Sequence, residues 1–345
     1  MEFLPEAAGP HDPIRVTVTR PEGSVRRTTN IDTTRPDGLR ADAHVDGRAR
    51  DLRTNPDGTS EVVGEAWLRA TVSPTQKLLS ITTSPDVPAL GQLVGASVGS
   101  GFRSRVNEVV TDECGDGSLL YLLLDDLPGA TLVSGYVLHR AGLLDDPPMD
   151  AAPGETPKRP PPNLGRLGDL CAGWAQDATM MVRIRETGSI PVPIGPDAPV
   201  LERDGDPWSW HAMATLPPHS VRRRRRLDLV APATPDGTHR IDLHFRDSHT
   251  GEDGNETIMH EYTVTGTADA GSGRIVSVAA KAQVLPWLEC PGAIASAERI
   301  AGMELSSLRP IIPKEFVGRS TCTHLNDSLR SLADIAALAR ELETV

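Results

Sequence analysis

The chain has 345 residues, of which 38% are hydrophobic and 24% charged, enough apolar material for two globular domains. Its formal net charge of −12 argues against a nucleic-acid partner, because phosphate binding requires a cationic surface. The four cysteines are too unevenly spaced for a disulfide framework, and no apolar run approaches the roughly 18 residues that span a bilayer. The first residues, MEFLPEAAGPHDPIRV, lack the features of a signal peptide. The sequence therefore predicts a cytoplasmic protein with no membrane partner.

An internal repeat organises the chain. Four pairs of segments match in order. They are VRRTTNID (25–32) with VRRRRRLD (221–228), GEAWLRATVSPTQKLLSITTSP (64–85) with HEYTVTGTADAGSGRIVSVAAK (260–281), QLVGASVGSGFRSRV (92–106) with RIAGMELSSLRPIIP (299–313), and GDGSLLYLLLDDL (115–127) with STCTHLNDSLRSL (320–332). In this alignment Cys322 falls opposite Gly117 and His324 opposite Leu119, while Cys290 has no counterpart. The repeat predicts a degenerate first copy at 1–144 and a second copy at 220–345 that carries the candidate site.

Each copy has the pattern of an α+β domain. Alternating apolar and polar residues with PDG turns predict antiparallel strands, and CPGAIASAERIAG and THLNDSLRSLADIAALARELE have helical spacing. The predicted fold is two duplicated α+β domains, each an antiparallel sheet with helices packed on one face. A Pro-rich linker (145–163) and a connecting segment (164–219) with three of the five tryptophans join them.

Two cysteines at predicted helix starts form the first candidate site. Cys290 opens one helical pattern, and Cys322 opens another with His324 two positions on. Unpaired N–H groups at a helix start stabilise a thiolate, which binds metal or acts as a nucleophile. Two cysteines and a histidine suit zinc, with a carboxylate or water as fourth ligand. The alternative is that both cysteines are small buried apolar residues and His324 packs beside them.

Further candidates lie on a strand pattern of the second copy. Asp242 and His244 share one strand face, which makes them an acid–base pair or ordinary surface residues. The arginine run 222–226, with Arg224 at its centre, is either a cradle for a carboxylate or phosphate or, as we favour, an exposed or edge strand protected by charge.

The tryptophan-rich segment supplies a third set of candidates. Aromatic and polar residues close together there predict a substrate pocket with aromatic walls, or else core packing. The residues concerned are Cys171, Trp174, Trp210 and His211.

The second half resembles a known family in RRRRRLD, in IVSVAAKAQVLPW leading to CPGA, in AG at 301–302 and in CTHLNDSL. This bacterial family is catalogued only as domain of unknown function 2889; the resemblance covers about 220–335, and the first half only as a degenerate copy. CPGAIASAERIAGMELSSL and STCTHLNDSLRSLADI also resemble, more weakly, two ligand segments of iron–sulfur cluster scaffold proteins. That resemblance implies ligand positions for Cys290 and Cys322, although Thr321 stands where the scaffold has its histidine.

The expected function is a cytoplasmic enzyme of small-molecule catabolism that acts on an organic acid or an acyl thioester. Cys290, Cys322 and His324 would lie near its site, with Zn or Fe as the cofactor if one is bound. One alternative is a non-catalytic protein that carries a metal or an iron–sulfur cluster. The other is an accessory or scaffold subunit without a site of its own.

Overall fold

The computed structural model describes residues 5–110, 115, 117–143, 168–188, 190–234 and 237–343. The predicted Pro-rich linker at 145–163 lies outside these residues, as do Cys114 and most of the PDG turn at 235–237.

One antiparallel sheet of eight strands runs through the molecule, in the order β4-β3-β2-β1-β5-β6-β7-β8. The first half of the chain (24–143) and the second half (220–343) contribute four strands each, so the α+β class is confirmed and the two halves share a sheet. β1 and β5 meet at its centre, antiparallel, with Thr29 opposite Arg225. The strands are β1 Ser24–Thr34, β2 Ala43–Thr54, β3 Ser60–Val72, β4 Leu78–Ser84, β5 Ser220–Val230, β6 Thr238–Thr250, β7 Glu256–Asp269 and β8 Ile275–Val284.

The turn between β2 and β3 shows how the sequence sets these hairpins. Asn55 opens an NPDG turn, in which Gly58 has φ of 82°, a left-handed conformation that glycine adopts without strain. The Asp57 carboxylate accepts a hydrogen bond from the backbone N–H of Thr59 at 2.9 Å. The predicted turn is confirmed, and β3 follows it directly.

Helices cover one face of the sheet. The apolar helix α2 (Leu119–Ser134) packs on β1, β2 and β3. Helix α6 (Thr323–Ser331) and the 3₁₀ helix Cys290–Ile300 pack on the strands of the second half. Within the described residues, no helix has both the length and the apolar character needed to cross a bilayer. The seven α-helices described are α1 Phe102–Val109, α2 Leu119–Ser134, α3 Tyr136–Arg140, α4 Thr179–Thr187, α5 Leu308–Glu315, α6 Thr323–Ser331 and α7 Ile335–Glu343.

Two irregular segments cover the opposite face. The N-terminal segment (8–23) and the segment 190–217 lie across the boundary between β1 and β5, which we call the seam. Arg26 of β1 donates to the Ser209 carbonyl at 3.2 Å, and Arg222 of β5 donates to the Ala214 carbonyl at 2.6 Å. The tryptophan-rich segment therefore binds strands from both halves.

The arginine run lies in the middle of the sheet, so the prediction of an exposed or edge strand is wrong. The five residues from Arg222 to Arg226 are each at most 6% exposed. Carboxylates from distant parts of the chain make this burial possible: Arg222 binds Asp32 at 2.6 Å and Arg223 binds Asp247 at 2.8 Å. A buried guanidinium is tolerated only with such partners, and its planar shape matches a carboxylate.

Candidate functional site

Buried ion pairs fill the helix side of the seam. They form one connected group within the described residues, with equal numbers of arginines and aspartates, so the group carries no net formal charge. We call it the seam network. Its members are Arg27, Arg103, Arg223, Arg225, Arg309, Arg330, Asp51, Asp125, Asp126, Asp247, Asp327 and Asp334.

A cleft of about 860 Å³ opens onto this network between α1 and α2 of the first half and α5 and α6 of the second. We call it the seam cleft. His324 lies in its wall, next to the sheet. Its charged lining is mainly cationic, since two carboxylates, Asp125 and Asp327, face five cations, which are Arg103, Arg223, Arg309, Lys314 and Arg330.

The start of α6 positions His324. Cys322 is the N-cap residue of this helix, and His324 is its second residue. The imidazole Nδ1 lies 3.4 Å from the Thr323 hydroxyl and 3.8 Å from the Cys322 thiol. The other nitrogen, Nε2, lies 3.7 Å from Oδ2 of Asp247.

Strand pairing brings His260 and Asp247 to the same place. The two residues lie directly opposite each other on β7 and β6, and Arg223 lies opposite Asp247 on β5. Arg223 donates to both carboxylate oxygens, at 2.8 and 3.0 Å, which fixes the orientation of Asp247. The His260 ring stacks on His324 with 3.6 Å between ring centroids.

Both imidazoles are neutral at neutral pH. Burial lowers the pKa of His324 to about 3, and the positive charge of Arg223 lowers it further. Burial also holds the pKa of His260 well below its ordinary value, with a further contribution from His324. Each ring therefore offers a lone pair on one nitrogen, which suits a metal ion.

The equivalent position in the first half lacks both histidines. There Arg27 binds Asp51 at 2.7 Å, and Gly64 lies opposite Asp51 in the pairing of β2 with β3. The Leu119 side chain fills the space, with its Cδ1 3.2 Å from where a Cβ on Gly64 would lie. The same strand geometry is thus built with no imidazole, so the fold does not require the two histidines.

The three described cysteines gather on the helix side of the second half. Cys290 and Cys322 are buried, and the backbone N–H of Ala172 donates to the Thr321 carbonyl at 3.0 Å, which brings Cys171 beside Cys322. Burial raises the pKa of Cys171 to about 12 and also raises the pKa of Cys290 and Cys322. Within the described residues, these cysteines join no set of three ligand atoms that lie within 4.8 Å of one another.

Asp242 and His244 lie on the opposite face of the sheet, away from the cysteines and His324. The imidazole of His244 is bonded to the Glu261 carboxylate at 2.7 Å, whereas Asp242 pairs with Arg226. Both polar groups are thus bound within the sheet, and the structure does not join them to each other as an acid–base pair.

The residues predicted to line an aromatic pocket are divided between the two faces. Cys171 and Trp174 lie on the helix side, where Trp174 packs against the core. Trp210 and Arg224 lie on the other face, with 6.0 Å between the guanidinium carbon and the indole ring. The structure therefore does not form one pocket from this set.

His211 is held at the centre of the opposite face. Its Nδ1 is hydrogen-bonded to the Thr28 hydroxyl at 2.8 Å, and its Nε2 to the side-chain amide oxygen Oδ1 of Asn30 at 2.6 Å. The pKa of His211 is lowered to about 3, mainly by burial. Nearby arginines add to this effect, and the contribution of Arg50 is the largest among them. Protonation of His211 is therefore costly in the folded protein and not in the unfolded chain.

This environment predicts a pH-dependent stability. His211 binds a proton near pH 6.5 in the unfolded chain but only near pH 3 in the folded protein. Its contribution to the free energy of unfolding is therefore complete above about pH 6.5 and is lost as the pH falls towards 3. Between pH 7 and pH 5, the free energy of unfolding should fall by about 2 kcal/mol through His211 alone. Urea unfolding of His211→Gln should show a pH dependence smaller by this amount. His44→Gln, at an exposed position on β2, should behave like the wild type, and an unchanged dependence in His211→Gln would refute the explanation.

Sequence reasoning gave no site role to His260, Asp247, Arg103 or Asp327. His260 is one of several histidines in strand patterns of the second half, and nothing in the local sequence sets Asp247 apart from the other aspartates there. The available signal was the repeat itself, because aligning His260 with Gly64 shows a histidine that the second half has and the first half lacks.

Comparison with known proteins gives a family and no activity. Residues 221–338 match a family described as "Protein of unknown function (DUF2889)". No curated protein and no solved structure gives a significant match to the chain. The matched segment contains Asp247, His260 and His324, together with Cys290 and Cys322. The second half of the chain therefore belongs to this family of unknown function.

Proposed function

We propose that the chain is an enzyme of small-molecule metabolism that binds an organic acid or an acyl thioester in the seam cleft. The observation that carries the proposal is the composition of the cleft wall: five cations and a neutral imidazole around about 860 Å³, in a chain of net charge −12. A concave site with converging charged groups is typical of small-molecule binding. The four arginines are balanced by the aspartates of the seam network, so Lys314 is the cation of this wall that lies outside that balance, and its charge favours an anionic ligand.

Two cations are the most available to a ligand. Lys314 is exposed on α5 and makes no ion pair with any residue that the structure describes. Arg103 of α1 is about a third exposed and binds Asp327 at 2.9 Å with one arm of its guanidinium group. A carboxylate between these side chains would gain charge-assisted hydrogen bonds, and would lie above the imidazole of His324.

A binding experiment tests the proposal. Succinate, citrate and acetyl-coenzyme A would be titrated by calorimetry, with succinamide as the uncharged match for succinate. At least one anion should bind, and Lys314→Glu should weaken its binding by about tenfold, since reversing one partly screened charge changes the binding energy by about 1–2 kcal/mol. Lys281→Glu, at an exposed position on β8, should bind it as the wild type does. No binding in the panel, or equal binding by Lys314→Glu, would contradict the proposal.

A second candidate function is carriage of a metal or an iron–sulfur cluster by the cysteines. The observation that favours it is the closeness of the three cysteines: besides burial, Cys322 raises the pKa of both Cys171 and Cys290. The raised pKa values weigh against it, because a metal ligand must be a thiolate. Anaerobic purification followed by iron and sulfide analysis of the wild type and Cys290→Ala decides this candidate.

We infer as well that the two halves arose by duplication, with a degenerate first copy at 1–144 and a second at 220–345. The support lies in the matching strand pairings. Arg27 faces Asp51 as Arg223 faces Asp247, and both partner strands carry a register shift just after the aspartate. On this inference, the second copy retained the polar site and the first became structural.

A further inference from the structure

Three potential metal ligands meet at the point where the seam cleft reaches the sheet. One ligand atom each from Asp247, His260 and His324 lies within 4.8 Å of the other two. Asp247 and His260 come from neighbouring strands, and His324 comes from the first turn of α6. The three are thus fixed by regular structure, and His324 opens to the cleft.

We propose that Asp247, His260 and His324 bind one divalent transition-metal ion, Zn²⁺ or Fe²⁺, next to the seam cleft. Two imidazoles and a carboxylate are a ligand set that both ions accept, with the remaining positions open to water or substrate. The inference rests on the proposed function, since it gives the anion-binding cleft a reactive centre.

The geometry around His324 fits a ligand. Its Nδ1 lies near the Thr323 hydroxyl and the Cys322 thiol, so a proton on Nδ1 has partners there. Nε2 then directs its lone pair towards the Asp247 carboxylate, 3.7 Å away, where an ion between the two atoms relieves their repulsion. Two ligand atoms on one tetrahedral ion, each about 2.1 Å from it, lie about 3.4 Å apart, so this pair of atoms needs only a small contraction. The His260 and His324 rings are stacked and must turn so that the lone pairs of both meet at the ion.

His260 supplies an independent observation. Its Nδ1 is buried and has no hydrogen-bond partner among the described residues. A buried polar atom left unpaired costs free energy, and most such atoms in folded proteins have a partner. The cost is removed if Nδ1 is the atom through which this ring binds the metal ion.

The surroundings fit the outer layer of a metal site. Arg223 donates to both oxygens of Asp247 and leaves each oxygen a second lone pair. Such outer hydrogen bonds orient metal ligands and are a regular part of these sites. The first half has the same arginine–aspartate pair with Gly64 and Leu119 in place of the imidazoles, so the pair is structural and the histidines are the addition.

With an ion bound, the chain's residues would have defined roles. The ion would polarise the carboxylate or thioester carbonyl of a ligand, while Arg103 and Lys314 hold its negative charge. Asp125 and Asp327 keep the arginines in place and complete the wall.

Metal binding by the intact chain tests the site. The protein would be stripped with a chelator, and Zn²⁺ and Co²⁺ titrated into the wild type, His260→Gln, His324→Gln and Cys290→Ala. Glutamine is close in size to histidine and does not titrate, and Asp247 is left unchanged because it also neutralises Arg223. We expect one ion per chain in the wild type and in Cys290→Ala. Each histidine variant should bind more than about 100-fold more weakly, since even outer partners of a ligand contribute 10–100-fold.

The cobalt spectrum separates this site from one built on cysteine. Binding through nitrogen and oxygen gives visible d–d bands without the near-ultraviolet thiolate-to-cobalt charge-transfer band. That band, or loss of binding in Cys290→Ala, would overturn the proposal in favour of the cysteines. Equal binding by wild type and both histidine variants, or none by the wild type, would also overturn it. Anion binding and its sensitivity to Lys314→Glu are measured separately, so a failure of the metal site can be distinguished from a failure of the proposed function.

Discussion

Replacing Arg223 with methionine is expected to lower the free energy of unfolding by about 3–5 kcal/mol, because it leaves buried carboxylates without their partner. Arg223 is 1% exposed and binds Asp247 through two hydrogen bonds and Asp327 at 3.0 Å. Methionine fills a similar volume, so the decrease in the free energy of unfolding results from the missing charge and not from a cavity. Urea unfolding at pH 7 measures it.

Two further variants make this result specific. Arg223→Lys keeps the positive charge but cannot donate to both carboxylate oxygens at once as the guanidinium does. Its free energy of unfolding should therefore fall by less than that of Arg223→Met. Arg69→Met removes an arginine whose side chain is 61% exposed on β3, and its effect should stay below about 1 kcal/mol. A loss below 1 kcal/mol in Arg223→Met would mean that the seam network does not depend on this residue.

Replacing Gly129 with alanine is expected to destabilise the protein by about 2–3 kcal/mol, the range of an overpacked interior. A Cβ on Gly129 would lie 2.1 Å from Nη1 of Arg223 and 2.8 Å from Oδ2 of Asp327. The methyl group must therefore displace the ion pair where α2 crosses the seam. Helix propensity alone predicts the opposite sign, a gain of about 1 kcal/mol for alanine over glycine.

Gly292→Ala is the matched control for this change. Gly292 lies in the 3₁₀ helix Cys290–Ile300, and no atom lies within 4 Å of a Cβ built there. Its replacement should be neutral or stabilising in the same urea experiment. If both variants have the same stability, helix α2 does not approach Arg223 as closely as the structure has it.

Most of the sheet could be predicted from the sequence, because alternation and turn residues are local signals. β3, β4, β7 and β8 follow the alternating runs, and the NPDG turn ends where Gly58 allows a left-handed conformation. The arginine run could not be placed in this way. Its burial depends on carboxylates such as Asp126 of α2, about a hundred residues away in the chain.

The cluster of Asp247, His260 and His324 could not be predicted from the sequence, because it depends on a strand register that local patterns do not determine. β6 and β7 form a hairpin, and counting back from its turn without a bulge would place Met259 opposite Asp247. A register shift after Asp247 places His260 there instead, on the same face of the sheet. His324 then arrives from α6, whose packing on β7 is set by the core and not by any short motif.

Anomalous X-ray diffraction from crystals of the full chain grown with Zn²⁺ tests the account most directly. We expect one strong peak at the zinc edge, within bonding distance of His260, His324 and Asp247, at the end of the seam cleft that meets the sheet. A peak bonded to Cys290 or Cys322, or no peak between the two histidines, would contradict it.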